Sequence, residues 1–184
     1  MKRFYLTLML VFFTIQLYSC NNVNSNSQSS EIIIYESSAT QTDYKEITQV
    51  TTSEISAPFI LPDSYSIDVD YIYQCPELPT GCEITSLTML LNYLGFGVSK
   101  TDLADNYLEK DYMCTVSFND AFIGDPRWDG GYGCFSPVIV RTAQKYLDTQ
   151  QHGYKYIVEN ISGTKFEDLY EYIAHDNPVI IWCS

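Results

Sequence analysis

Apolar positions recur at two spacings along this chain. Ile84, Leu87, Leu90, Leu91 and Leu94 fall three or four residues apart, which predicts an amphipathic helix with one buried face. Thr80 stands at the N-cap position, Glu83 completes a capping box, and Gly95 supplies a left-handed stop. Upstream, Ile67, Val69, Tyr71 and Tyr73 alternate with other residues and predict a strand over Ser64–Gln74. Pro76 and Pro79 keep the connection from this strand to the helix extended. Ser99 and Asp102 form a second capping box, opening a short helix through Leu103, Tyr107 and Leu108. Ser136-Pro137 starts a third helix, with Val138, Ala143, Tyr146 and Leu147 on its apolar side. Tyr154–Val158 reads as a short strand. Thr164 and Glu167 make a third capping box, ahead of a helix that uses Phe166, Leu169, Tyr170 and Ile173. Val179–Cys183 reads as a buried strand with no later partner in the sequence. Helices first and sheet last is an α+β layout.

The first 57 residues have a different texture. Lys2 and Arg3 precede an apolar run from Phe4 to Ile15, shorter than the roughly 20 residues of a membrane span, so residues 1–20 read as an export signal. Leu17-Tyr18-Ser19-Cys20 resembles a bacterial lipobox, which implies lipidation of Cys20 and a protein held on the outer side of the cell membrane; simple secretion is the alternative. Residues 21–57, rich in Ser, Thr, Asn and Gln, read as a flexible spacer. Ile32–Tyr35 is the exception, and an N-terminal strand there is the competing reading. The folded domain is then expected over 58–184. A formal charge of −13 argues against nucleic acid and against electrostatic attachment to anionic lipid. Sixteen tyrosines suggest amphipathic surfaces and cleft walls.

The chemistry centres on Cys82, in the first turn of the predicted helix. Unpaired first-turn N–H groups and the helix dipole favour a thiolate, the nucleophilic form. Attack on an amide carbonyl creates an oxyanion, for which the Cys82 N–H and the Gln74 side-chain amide are candidate donors. The bland alternative is a small buried cysteine. Residues 110–135 form a long loop rich in Gly, Asp and aromatics, with Phe122, Trp128, Tyr132 and Phe135 as candidate cleft walls. Asp120, Asp125 and Asp129 lack the spacing of an EF-hand, and no cysteine pair has zinc-finger spacing, so neither metal nor cofactor is expected. His175 suits a helix C-terminus and His152 a solvated turn. Cys75, Cys114, Cys134 and Cys183 allow three disulfide pairings, and free thiols fit equally well.

The segment Gln74 to Gly95, with Phe122-Ile-Gly-Asp-Pro, Gly131-Tyr-Gly and Asn177-Pro-Val-Ile-Ile-Trp182, resembles the bacteriocin-processing-type cysteine peptidases, and most of all their stand-alone, exported, papain-like relatives. The resemblance covers about residues 70–184 and implies a papain-like fold whose helical half is present and whose C-terminal sheet half is largely missing. It implies that Cys82 is the nucleophile and that Gln74 helps to form the oxyanion hole. It places the catalytic histidine and its Asp or Asn partner after the strand that ends near Trp182, hence beyond Ser184. The expected activity is hydrolysis of a peptide or a peptidoglycan peptide through a Cys82 thioester. An acyltransferase using the same thioester, and a catalytically dead surface binding module, are the alternatives.

Overall fold

The computed structural model describes residues 30–37 and 60–183. The export signal, Cys20 and most of the expected spacer lie outside the described residues. Among the described residues no helix is long and apolar enough to cross a membrane.

The largest departure from expectation comes first in the chain. Residues 31–36 are not spacer: Glu31–Glu36 form strand β1. Ile32, Ile33 and Ile34 are wholly buried. Three consecutive β-branched residues fit a strand covered on both faces, because alternate side chains point to opposite sides. β1 is the middle of a three-stranded sheet, between β4 (Tyr156–Asn160) and β5 (Val179–Ile181). Both pairings are antiparallel, with Ile34 opposite Val158 and Ile32 opposite Ile180. The strand at Val179 therefore finds its partner far upstream, where a reading in chain order finds none. The boundary expected at residue 58 fails for the same reason, since the sheet's centre precedes it.

Among the described residues four α-helices complete the fold. Helix α1 (Cys82–Tyr93) buries Ile84, Leu87, Leu90 and Leu91. Its end is the predicted one: Gly95 has φ +89°. Its N–H donates to Asn92 O, and the Phe96 N–H donates to Leu91 O, closing a paired-carbonyl stop. Helix α2 (Lys100–Asn106) is capped as expected, the Ser99 hydroxyl accepting the Asp102 N–H at 3.1 Å. Helix α3 (Ser136–Leu147) has its proline in the first turn. Helix α4 (Phe166–Ala174) packs on β5. Helix α3 packs on β1 and β4 and touches α1. Edge-to-face contacts of Phe96 with Tyr146 and Tyr156, and of Tyr107 with Tyr146, join α1, α2, α3 and β4. Helix and antiparallel sheet thus share one core, a mixed α and β domain.

Five local expectations are corrected. Ser64–Gln74 is extended but forms no strand; Ile67 and Val69 are half-buried beside exposed aspartates, and among the described residues no strand pairs with them to take up their backbone groups. The Thr80 capping box is absent, because the N-cap is Gly81 and the Thr80 hydroxyl is engaged elsewhere. The Thr164 box is absent too: its hydroxyl donates to Ile161 O at 2.6 Å and the helix begins one residue later than the box requires. The loop 110–135 contains a short parallel pair, β2 (Lys110–Asp111) with β3 (Phe122–Ile123). The strand expected at Tyr154 starts at Tyr156, after a single turn of 3₁₀ helix over Gly153–Lys155.

Candidate active site

Cys82 opens α1, so its backbone N–H has no acceptor within the helix. The segment before it is tied down locally. The Leu78 N–H donates to Gln74 O, and Lys100 Nζ donates to the Tyr73 and Gln74 carbonyls while pairing with Glu77 at 2.8 Å. The Cys75–Pro76 peptide is cis. Gln74 Nε2 donates to Pro79 O at 2.7 Å. That fixes the amide in the turn ahead of Cys82 and leaves one of its two hydrogens for another acceptor.

The loop after β3 forms the other wall. The Thr80 hydroxyl donates to Trp128 O at 3.0 Å, and the Thr80 N–H to Pro126 O at 3.3 Å. The approach is close enough that a Cβ on Gly131 would stand 2.3 Å from Thr80 Oγ1. One turn further along the loop, the Cys134 N–H donates to Glu83 Oε1 at 3.0 Å. The Cys134 carbonyl accepts from Trp182 Nε1 at 3.0 Å, which brings in the end of β5. The start of α1, this loop and the end of β5 therefore converge on Cys82 and Glu83.

Of the aromatic candidates, Trp128 and Tyr132 are each 64% exposed and flank this contact. Phe135 is also exposed, beside Phe118, at the entrance to α3. Phe122 is not a cleft wall: it is wholly buried in the core, since the parallel pairing turns it inward. Trp182 was missed as a site residue, its composition suggesting only a buried strand end.

The electrostatics of Cys82 run against the simple dipole argument. The Cys82 thiol donates to Glu83 Oε2 at 3.2 Å. Burial of the sulfur pushes its pKa up to about 11, the Glu83 carboxylate adds to this by charge and by hydrogen bond, and the first-turn N–H groups of Cys82 and Glu83 pull the other way without prevailing. The residue is exposed as a whole, but its sulfur lies against a carboxylate. Burial, then Glu83, then Cys82 also push the buried Cys134 thiol well above its usual range. Cys75, Cys82, Cys134 and Cys183 are free thiols, whereas Cys114 is disulfide-bonded, so none of the three pairings open on sequence is made.

Neither histidine serves Cys82. His175 caps the end of α4, with Nδ1 on Glu171 O at 2.7 Å, and lines an acidic cavity with Tyr35, Glu159 and Asp168. His152 caps the 3₁₀ turn. Among the described residues no group of three or more His, Cys, Asp or Glu is placed to hold a metal ion.

Comparison with known proteins adds three findings. The sequence pattern of the Peptidase_C39 like family matches residues 66–184. The uncharacterized protein YvpB of Bacillus subtilis (strain 168) is 31% identical over 108 residues, 56% of this chain and 40% of the relative. A crystal structure described as that of a C39-like peptidase from Bacillus anthracis shares 31% identity with a TM-score of 0.49, covering 60% of this chain and 55% of the other. The chain spans less than two thirds of the length of either relative.

Proposed function

Since the chain belongs to the Peptidase_C39 like family, we propose that it is a cysteine peptidase of the stand-alone, exported, bacteriocin-processing type with a papain-like fold, cleaving an amide bond through Cys82. The observation that carries this reading is Cys82 at the start of a core-anchored helix, with Gln74 fixed in the turn before it. Cys82 loses its proton and its sulfur attacks the carbonyl carbon. The Cys82 N–H and the second Gln74 amide hydrogen stabilise the oxyanion. The C–N bond then breaks, the leaving amine takes a proton, and water hydrolyses the thioester. The Cys82 proton passes to a general base, a role that neither His152 nor His175 fills, oriented by an Asp or Asn as the family resemblance implies. Peptides or peptidoglycan peptides are the proposed substrates, with Trp128, Tyr132 and Phe135 along the cleft. Lipidation of Cys20 would hold the enzyme outside the cell membrane.

The test is hydrolysis of a fluorogenic peptide set by the full-length protein and by Cys82→Ser. Loss of activity in a variant that keeps its circular dichroism supports the reading; unchanged activity overturns it. One observation favours a second reading, a non-catalytic binding module: the raised Cys82 thiol, which leaves little thiolate near neutral pH. A cysteine electrophile that labels Cys82 in the full-length protein no faster than Cys75 or Cys183 would favour that module.

A further inference from the structure

Glu83 is the feature least explained by the reading above. It is a carboxylate only 8% exposed. Among the described residues no Lys or Arg pairs with it. A buried carboxylate without a cation is costly unless its oxygens are hydrogen-bonded. Both are: Oε1 accepts the Cys134 N–H at 3.0 Å, and Oε2 accepts the Cys82 thiol at 3.2 Å. The wall loop is shaped around this carboxylate. Gly133 has φ +112°, and a Cβ there would stand 2.5 Å from Glu83 Oε1.

We propose that Glu83 is a positioning residue for the nucleophile, a two-ended clamp that holds the Cys82 sulfur with one oxygen and the wall loop with the other, and so keeps the cysteine a resting thiol. The proposal deepens the peptidase reading, resting on Cys82 as the nucleophile, and assigns it a restraint. The clamp fixes the direction of the sulfur. It also sets a negative charge beside the atom that must become negative, so attack requires that a base or a bound substrate offset that charge. The other titratable groups facing the pair are the Cys134 thiol of the wall loop and Arg141 of α3, the latter felt at Cys134.

The experiment is the rate of alkylation of Cys82 by iodoacetamide as a function of pH, followed peptide by peptide with mass spectrometry in the full chain. Glu83→Gln keeps an oxygen for the Cys134 N–H and turns a donor toward the sulfur. The midpoint for Cys82 should then fall by about one pH unit or more, giving roughly tenfold faster labelling at pH 8. Cys134, buried behind the clamp, should stay unlabelled. Glu83→Asp, which retains the charge, should keep the midpoint near the parent value. The proposal is overturned if Glu83→Gln leaves the midpoint unchanged. It is equally overturned if Cys134 becomes as reactive as Cys82, because the carboxylate would then be holding only the fold. The readout needs no peptide hydrolysis. A shifted midpoint in a chain that cleaves nothing would sink the peptidase reading and leave the clamp standing.

Discussion

Replacing Gly133 with alanine separates two costs that glycines usually mix. At φ +112° an L side chain is strained by about 1–3 kcal/mol. The new methyl also meets Glu83 Oε1 at 2.5 Å. The carboxylate must withdraw, and withdrawal strands the buried Cys134 N–H at a cost of about 1–3 kcal/mol. Alanine returns roughly 0.4–1 kcal/mol by stiffening the unfolded chain. The net expectation for Gly133→Ala is a loss of ~2–4 kcal/mol. Gly95→Ala is the control: its φ is +89°, but nothing lies within 4 Å of the added methyl. Only strain less the unfolded-state gain applies there, about 1 kcal/mol. With a urea slope of roughly 1–3 kcal/mol per molar, the two unfolding midpoints should differ by about 1 M, Gly133→Ala being the lower. Equal midpoints would refute the reasoning, because the Glu83 contact would then add nothing to the backbone term.

Two further substitutions test the fold that positions the site. Ile34→Ala, at a wholly buried position of the central strand, should cost about 2–5 kcal/mol in thermal or urea unfolding; a loss below ~0.5 kcal/mol, the usual range for a surface site, would return residues 31–36 to the spacer reading. Ser99→Ala removes the acceptor of the Asp102 N–H and should cost about 1 kcal/mol by the same assay, whereas Thr164→Ala, which removes no cap, should show no capping loss.

What was legible in the sequence was local. The stop at Gly95, the cap at Ser99 and the proline entry to α3 are decided within one helical turn, and the structure has all three. Thr80 and Thr164 carry the same local signal and fail, because each hydroxyl found a carbonyl outside the helix it precedes. The alternation at Ile67 and Val69 reports a real inside and outside, but a strand also needs a neighbour. β1 was hard to see for the opposite reason: its neighbours exist, more than a hundred residues away. At the site, the helix start, Cys82 and the loop of glycines and aromatics were readable as types. The role of Glu83 was hidden behind a plausible cap. The nearby signal was Gly131-Tyr-Gly133, two residues without side chains where a loop must approach a bulky neighbour closely.

The central position of β1 sets an order of events during synthesis. The Glu31 N–H bonds the hydroxyl of Ser162, 131 positions later. At roughly 5–20 residues per second, this strand leaves the ribosome on the order of ten seconds before either neighbour exists. High contact order of this kind slows folding. Through that interval the Ile-Ile-Ile run is a solvent-exposed, aggregation-prone segment, and Glu31 and Glu36 bracket it as gatekeeper charges. Once the sheet closes, Glu31 changes employment: its carboxylate accepts the Gly163 N–H at 3.1 Å and latches the turn that follows β4.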